Sequence, residues 1–337
     1  MEACLNMEQS TQKKLALFAS NAQTIKKEFT WQNAMTKRLA ALLYAQDSKP
    51  VDCESILSCH NLIKQNTGVF STFRGHMVLC VASLLSLSPN PQSLIEESIK
   101  VYNLLKGVKM YASDFLVIAA FEIAKQTSPS DYPEAVNRTR AFYDGMKARH
   151  FFNTGRDDYI FAAMLGLTDL DVASGSERIE QLFNRLKNEF WDRNSVQALA
   201  QVLVLCGSDD ITSNRALALR DALQAKKIRL DRSYTLPSLG ILSMLPAEID
   251  AIVREVEEAR DYLRTQKGFG PLSVASQELL LHASALIAGK YAQEGKAGVT
   301  TATLSTGITN LIIAQQAAMI AAISSTSAAA ASSSSSK

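Results

Sequence analysis

Hydrophobic residues recur along this chain at spacings of three and four, with few interruptions by Gly or Pro. This spacing places apolar side chains on one face of an α-helix, because the helix turns once in about 3.6 residues. Amphipathic segments alternate with segments that are more apolar and richer in Ala. The pattern predicts an all-α fold in which helices come in tandem pairs.

An aliphatic residue marks the end of the first helix in each predicted pair, and it recurs about every 40 residues. The next residue is Lys or Arg in six of seven cases, and a cation suits the negative end of a helix dipole. A period of this length with two helices per unit is typical of an α-solenoid. The seven markers are Ile25, Ile63, Leu105, Met146, Leu186, Leu223 and Leu263.

Seven helix pairs can stack as an open curved array or close into an α/α toroid, and periodicity does not separate these arrangements. We expect the open, solenoid-like array, because seven pairs fit a six-pair toroid poorly, and we keep the closed toroid as the alternative. The repeat domain is predicted over residues 14–295, after a flexible extension at 1–13. An apolar C-terminal helix at 296–325 and a disordered Ala/Ser tail at 326–337 are expected to follow.

The charge of the chain is nearly balanced, with 35 Lys and Arg against 33 Asp and Glu and a formal charge of +2. This balance suggests neither nucleic acid nor an anionic membrane as a partner. The five cysteines are odd in number and show no CxxC spacing, and the first residues lack the basic and apolar pattern of a secretion signal. We therefore predict a reducing, cytoplasmic setting.

Several runs resemble a known family. Residues 21–44 read NAQTIKKEFTWQNAMTKRLAALLY, and residues 138–164 contain RAFYDGMKARH and GRDDYIFAAM. Residues 232–240 read RSYTLPSLG, and residues 311–323 read LIIAQQAAMIAAI. Together they are similar to bacterial proteins of domain-of-unknown-function family 4003, from about residue 14 to the tail. The resemblance implies a bacterial cytoplasmic protein and supplies no catalytic residues, because that family has no established activity.

The linker before the fourth predicted helix is a candidate ligand site, since it concentrates aromatic and basic residues in the run FSTFRGH at 70–76. Arg74 and His76, with Phe73 beside them, can bind a carboxylate or a phosphate through charge-assisted hydrogen bonds. The N-terminus of the next helix adds positive electrostatic potential. The alternative is an ordinary turn between helices in which Arg74 pairs locally.

Asp157 and Asp158 form a second candidate, because paired carboxylates can hold a hard cation such as Mg²⁺. Phe161 stands where a third carboxylate would be needed, and the pair also fits a helix N-cap. We therefore predict no metal and no cofactor, and keep both aspartates as candidate ligand-binding residues.

The C-terminal region has no charged residue from 297 to 336. Residues 304–323 are long enough to span a bilayer, but Asn310, Gln315 and Gln316 interrupt their apolar character. We expect a helix that docks on the last pair or on a second subunit. The alternatives are weak membrane contact through the tail and a disordered segment.

Three functions remain open from the sequence. The first, which we favour, is a non-enzymatic helical-repeat binding or scaffold protein with a protein partner, because solenoids present extended concave surfaces. The second is an enzyme with a central cavity in a closed toroid, motivated by Tyr, Asp, Arg and His near the starts of the second helices. The third is a peripheral membrane or self-assembling protein that acts through its tail.

Overall fold

The computed structural model describes residues 8–150, 153–207 and 210–293. Over these residues all regular structure is helical, which confirms the all-α prediction. Two short 3-10 helices, Thr72–Arg74 and Ser233–Thr235, accompany the α-helices. The α-helices are α1 (Gln9–Glu28), α2 (Ala34–Gln46), α3 (Cys53–Asn66), α4 (Val78–Ser86), α5 (Pro91–Gly107), α6 (Asp114–Gln126), α7 (Tyr132–Arg149), α8 (Asp158–Gly166), α9 (Val172–Leu186), α10 (Arg193–Leu205), α11 (Asp210–Ala225), α12 (Leu236–Ser243), α13 (Ile249–Thr265) and α14 (Ser276–Gln293).

Two ends of the predicted domain organisation can be compared with the described residues. Helix α1 begins at Gln9, so the chain is already helical over part of the 1–13 segment that the sequence assigned to a flexible extension. The predicted C-terminal helix at 296–325 and the tail at 326–337 lie outside the described residues.

Six helices begin with a side-chain cap. In each, an Asn, Asp or Ser oxygen accepts a hydrogen bond from a backbone N–H of the first turn, which would otherwise lack a partner. Such a cap typically stabilises a helix by about 1 kcal/mol. The capping residues are Asn33, Asp52, Asn90, Ser113, Asp171 and Asp192.

The helices form two layers. Each odd-numbered helix packs against the even-numbered helix that follows it. The even-numbered helices are enclosed, and all except α14 are short: every residue of α8 and of α12 is buried. By contrast, α13 buries only five of its 17 residues, along one stripe. The even-numbered helices therefore form an inner layer, and the odd-numbered helices form an amphipathic outer layer.

The seven aliphatic markers all lie in the last turns of the outer helices α1, α3, α5, α7, α9, α11 and α13. Each marker side chain is at most 1% exposed. The sequence period thus corresponds to one outer helix followed by one inner helix.

The first and last pairs are in contact. Helix α14 packs against α12 on one side and against α1 and α2 on the other. The amide of Gln46 donates to the carbonyl of Ala285 at 2.6 Å, and the Gln23 amide donates to the carbonyl of Lys267. The helix pairs therefore form a closed ring, which is the toroid alternative and not the open array that we expected.

The physical reason for closure lies in the last helix. An open array needs a terminal helix with a polar outer face. Helix α14 instead buries 15 of its 18 residues, from Glu278 to Ala292. A helix that is buried around its whole circumference has to be covered on every side, and the first pair provides the missing cover.

Gly166 allows the closest contact between α7 and α8. A Cβ atom at this position would lie 2.8 Å from both the backbone N and Oγ1 of Thr139. Because backbone atoms cannot move aside easily, we expect Gly166→Ala to lower the free energy of unfolding by about 1–3 kcal/mol in urea titrations. Gly107→Ala is the matched control, since a Cβ atom there meets nothing within 4 Å. Equal effects of the two substitutions would contradict the packing argument.

Candidate functional site

The five ligand-binding residues predicted from the sequence lie at one end of the ring, where the inner helices begin. We call this end the N-terminal rim. Phe73 and Arg74 belong to the 3-10 helix before α4, and Asp158 is the first residue of α8. The connection between α5 and α6 lies between these two groups of residues and contacts α8. The backbone N–H of Tyr111 in this connection donates to the Tyr159 hydroxyl at 3.2 Å.

The linker residues separate into buried and exposed members. The Arg74 guanidinium donates to Thr67 Oγ1 at 3.1 Å and to the carbonyls of Lys64 and Thr67, at the end of α3. The buried Phe73 packs edge-on against Tyr102, with ring centroids 5.3 Å apart. His76 is exposed. The donors of Arg74 thus satisfy helix-end carbonyls, and a ligand role for the three residues stays a prediction.

Asp114 lies beside His76, at the start of α6. Its pKa is raised by burial, while the charge of His76 and the backbone N–H groups of Met77 and His76 oppose that shift. Gly75 permits this approach, because a Cβ atom there would lie 2.5 Å from Asp114 Oδ1. The start of α6 is therefore held against the linker through a half-buried carboxyl.

Asp158 is enclosed between α8 and α10. Its Oδ1 accepts hydrogen bonds from Gln197 Nε2 at 3.1 Å and from Gln201 Nε2 at 2.6 Å, and its Oδ2 accepts from the Gly155 N–H at 2.8 Å. Burial, and next the neighbouring Asp157 carboxylate, raise the pKa of Asp158 to about 7. This carboxyl joins two inner helices inside the wall of the ring.

Asp157 precedes α8 without accepting a hydrogen bond from the α8 backbone, and it accepts instead from Asn194 Nδ2 at 3.2 Å. Asp157 thus occupies the N-cap position without capping through its side chain, which corrects the capping interpretation, and the aspartate pair links neighbouring helix pairs instead. Within the described ranges, no group of three His, Cys, Asp or Glu side chains is arranged to hold a metal ion. A ligand role for Asp157 and Asp158 stays a prediction.

The closure of the ring contains a buried ion pair that the sequence analysis missed. Arg38 on α2 donates from Nε to Glu278 Oε1 at 2.5 Å and from Nη2 to Oε2 at 3.0 Å. His282 Nε2 lies 3.4 Å from the same Oε1, and its ring packs against Phe18. Burial opposes ionisation of Glu278, but hydrogen bonds and charge from His282 and Arg38 outweigh it and lower its pKa to about 2.

A cavity of about 550 Å³ lies at the opposite end of the ring, where inner helices end. Its wall is formed by the C-terminal ends of α2, α4, α6 and α14 and by the first turns of α5. Leucines and alanines supply the apolar part of the wall. The polar and charged lining side chains include Gln46, Asp47, Ser93, Glu97, Lys125 and Gln293.

The lining of the cavity carries both acidic and basic side chains. Two carboxylates, Asp47 and Glu97, face one exposed lysine, Lys125. Four inner helices end at this cavity. Their free backbone carbonyls and the negative ends of their dipoles add negative electrostatic potential there. Exposed lysines partner both carboxylates, Lys49 with Asp47 at 2.5 Å and Lys100 with Glu97 at 2.6 Å. The four helix ends favour a positively charged ligand group, which would compete with Lys49 and Lys100 for the two carboxylates.

The amide side chains of the cavity are held in fixed positions. Gln293 Oε1 accepts from Lys14 Nζ at 3.1 Å and from the Ser48 hydroxyl at 3.2 Å, while its amide nitrogen donates to the carbonyl of Gln46. Gly289 makes room for Gln46, since a Cβ atom there would lie 1.8 Å from Gln46 Oε1. Sequence reasoning missed this cavity because five helices from distant parts of the chain contribute to it.

Sequence comparisons find proteins that are similar to this chain. The model of the family described as "Protein of unknown function (DUF4003)" matches residues 21–317. "Uncharacterized protein YeaA" from Bacillus subtilis (strain 168) is 23% identical to the chain over 238 residues, which is 68% of this chain and 70% of that protein. No solved structure matches the chain significantly.

Proposed function

Because the chain belongs to the DUF4003 family of proteins of unknown function, we propose its function from the geometry of the ring: a non-enzymatic binding protein that holds a small organic ligand with an ammonium group. The ligand would occupy the 550 Å³ cavity at the C-terminal ends of the inner helices. Sites for small molecules are typically concave, largely apolar and about 300–1,000 Å³ in volume.

The observation that carries this proposal is the charge of the cavity. Glu97 and Asp47 stand in the wall, and four inner helices direct their negative ends toward the same space. An ammonium group would find charge-assisted acceptors there, and the leucines would cover an alkyl or ring portion. Gln46 and Gln293 are already held by other side chains and by backbone, so they need little ordering when a ligand binds.

Binding is favoured over catalysis by the location of the groups whose pKa values are near neutrality. Burial raises the pKa of Asp158 and of Glu122 to about 7, which suits general acid–base chemistry at physiological pH. Both side chains are enclosed within the wall of the ring, and neither lines the cavity. The enzyme hypothesis also relied on residues such as Asp114 and Asp157, and these lie at the N-terminal rim, opposite the cavity.

A protein scaffold has less support from the same geometry. That hypothesis relied on the extended concave surface of an open solenoid. Ring closure brings α14 against α1 and α2 and removes that surface. We therefore place a small molecule before a protein partner.

We expect cadaverine, used as a probe, to bind the full chain more tightly than the matching diol, in which hydroxyls replace the ammonium groups. Glu97→Gln should weaken cadaverine binding by about 10- to 100-fold, because one charge-assisted hydrogen bond contributes about 1.5–3 kcal/mol. Isothermal titration calorimetry measures both differences.

Glu96→Gln is the matched control. Glu96 is the preceding residue on α5, is exposed, and does not line the cavity. Its substitution should leave cadaverine affinity unchanged. Equal affinity for the diamine and the diol, or equal losses in the two variants, would overturn the proposal.

A further inference from the structure

The seven connections that lead from an outer helix to the next inner helix all lie at the N-terminal rim. Hydrogen bonds between neighbouring pairs establish this arrangement. Arg156 donates to the carbonyl of Ala112 at 3.4 Å, and Asn194 donates to Asp157 at 3.2 Å. Across the closure, the Gln23 amide donates to the carbonyl of Lys267. One end of the ring is therefore built entirely from these connections and the helix ends that flank them.

Large hydrophobic side chains protrude from these connections. Over the described residues, seven large hydrophobic side chains are exposed, and six of them are in outer-to-inner connections. The seventh, Leu104, is in the last turn of α5, close to the same end. The six come from five different helix pairs, so they are spread around the rim. They are Trp31 (62% exposed), Val69 (75%), Phe70 (102%), Tyr111 (67%), Trp191 (100%) and Leu272 (104%).

The N-terminal rim is also strongly basic. From each marker residue to the first residue of the next inner helix, the seven segments contain 17 Lys and Arg but only 7 Asp and Glu, a formal charge of +10. The whole chain carries +2, so the remaining residues carry −8. The segments are 25–34, 63–78, 105–114, 146–158, 186–193, 223–236 and 263–276.

We propose that the N-terminal rim is a docking surface for an anionic lipid bilayer. Basic residues attract the protein to anionic headgroups, and exposed Trp, Tyr, Phe and Leu side chains insert at the interface between headgroups and acyl chains. No helix in the described part of the chain is long and apolar enough to cross a bilayer, so the association is peripheral.

The spacing of the hydrophobic side chains favours a membrane over a protein partner. Protein interfaces concentrate their affinity in a contiguous, well-packed cluster near the centre. Here single side chains protrude from five connections around a ring, with lysines and arginines between them. A fluid lipid surface accepts each protruding side chain independently, so a dispersed set of this kind still contributes to binding.

This docking surface is independent of the cavity. The cavity lies at the opposite end of the inner helices, so a ring bound to lipid through its N-terminal rim keeps the cavity mouth away from the membrane.

The two tryptophans of the chain, Trp31 and Trp191, both lie on the proposed surface, so intrinsic fluorescence reports docking directly. Vesicles of mixed phosphatidylcholine and phosphatidylglycerol should shift the emission to shorter wavelength, and brominated acyl chains should quench it. Pure phosphatidylcholine vesicles should do neither. About 0.5 M salt should reverse the effect, because it screens the attraction.

Charge reversal gives a matched pair of variants. Lys226→Glu with Lys227→Glu changes two exposed residues of the rim, and we expect at least tenfold weaker vesicle binding in flotation assays. Lys13→Glu with Lys49→Glu changes two exposed residues toward the opposite end and should leave binding unchanged. Phe70→Ser with Trp191→Ser removes two fully exposed side chains and should also weaken binding at least tenfold, with the thermal midpoint preserved.

Three results would overturn the proposal. One is equal binding to neutral and anionic vesicles. Another is vesicle binding without quenching of Trp31 and Trp191, which would assign membrane contact to the C-terminal region. The third is a concentration-dependent dimer that Phe70→Ser with Trp191→Ser dissociates, which would assign this surface to a second copy of the chain.

Discussion

Arg38→Ala is expected to lower the free energy of unfolding by about 3–5 kcal/mol, because it leaves the Glu278 carboxylate buried without its main partner. Arg38 is on α2 and Glu278 on α14, so the ion pair joins the first helix pair to the last. The loss should therefore also loosen the closure. Urea unfolding measures the energy, and hydrogen exchange should show faster opening of α14 than of α8.

Lys49→Ala provides the comparison. Lys49 and Asp47 approach to 2.5 Å, as close as the buried pair, but both side chains are about half exposed. An exposed ion pair typically contributes less than about 1 kcal/mol, so the substitution should have little effect. Similar losses for Arg38→Ala and Lys49→Ala would mean that burial does not control the strength of the closure.

A double substitution separates the charge from the packing. Replacing Arg38 by Met and Glu278 by Leu removes both charges and fills the site with apolar atoms. Such replacements of buried ion pairs are often neutral or stabilising. We expect the double variant to recover most of the stability lost in Arg38→Ala, and a further loss would show that the pair itself stabilises closure.

The helices and their pairing follow from local sequence. The markers from Ile25 to Leu263 locate the ends of all seven outer helices, because an amphipathic stripe depends on residues three and four apart. The side-chain caps at Ser113 and Asn90 are local features too, since a cap needs only its own first turn. These features are decided within about 20 residues of chain, so a single sequence contains them.

Closure depends on the small rotation between successive pairs, which side-chain packing sets and no local pattern encodes. The decisive contacts join residues about 240 apart, as in Arg38 with Glu278 and Gln46 with Ala285. The one local signal was α14 itself, whose run of Leu, Ile and Ala residues from Leu279 to Ala288 covers most of the helix surface and implies a neighbour on more than one side. The cavity could not be predicted for the same reason, because closure creates its wall.

The basic residues of the N-terminal rim can be seen in the sequence, but we interpreted each of them as a charge that suits the end of its own helix. Each lysine after a marker suits the end of its own helix, and taken singly that explanation is sufficient. The repeat adds a further consequence, because a residue at one phase of seven stacked pairs lies at one end of the assembly. Net charge conceals this separation, since the +10 of the rim segments and the −8 of the other residues sum to +2.

The chain is expected to become more stable as the pH falls from about 8 to about 5. Burial raises the pKa of Asp158 and of Glu122 to about 7 in the folded state, well above the ordinary values of 3.8 and 4.5, so the folded chain binds these protons more tightly. Each pKa unit corresponds to about 1.4 kcal/mol, so each protonated carboxyl should add on the order of 2–3 kcal/mol to the free energy of unfolding at pH 5. This contribution is lost as the pH rises through 7.

Glu278 acts in the opposite direction at lower pH. Its folded pKa of about 2 lies below the ordinary value of 4.5, so its contribution to stability is present above pH 4.5 and is lost as the pH falls toward 2. The two effects together place the stability maximum near pH 5. Urea unfolding at a series of pH values measures this profile.

Glu122→Gln tests which carboxyl is responsible. Glu122 is fully buried, with one oxygen accepting from Gln126 Nε2 at 3.0 Å, and Gln keeps its shape without the charge. We expect the variant to be more stable than the natural chain at pH 8 by about 2 kcal/mol and close to it at pH 5, because the natural side chain is then protonated. Glu134→Gln, on the exposed face of α7, should leave the profile unchanged. Parallel pH profiles for the natural chain and Glu122→Gln would show that this buried carboxyl does not control the pH dependence.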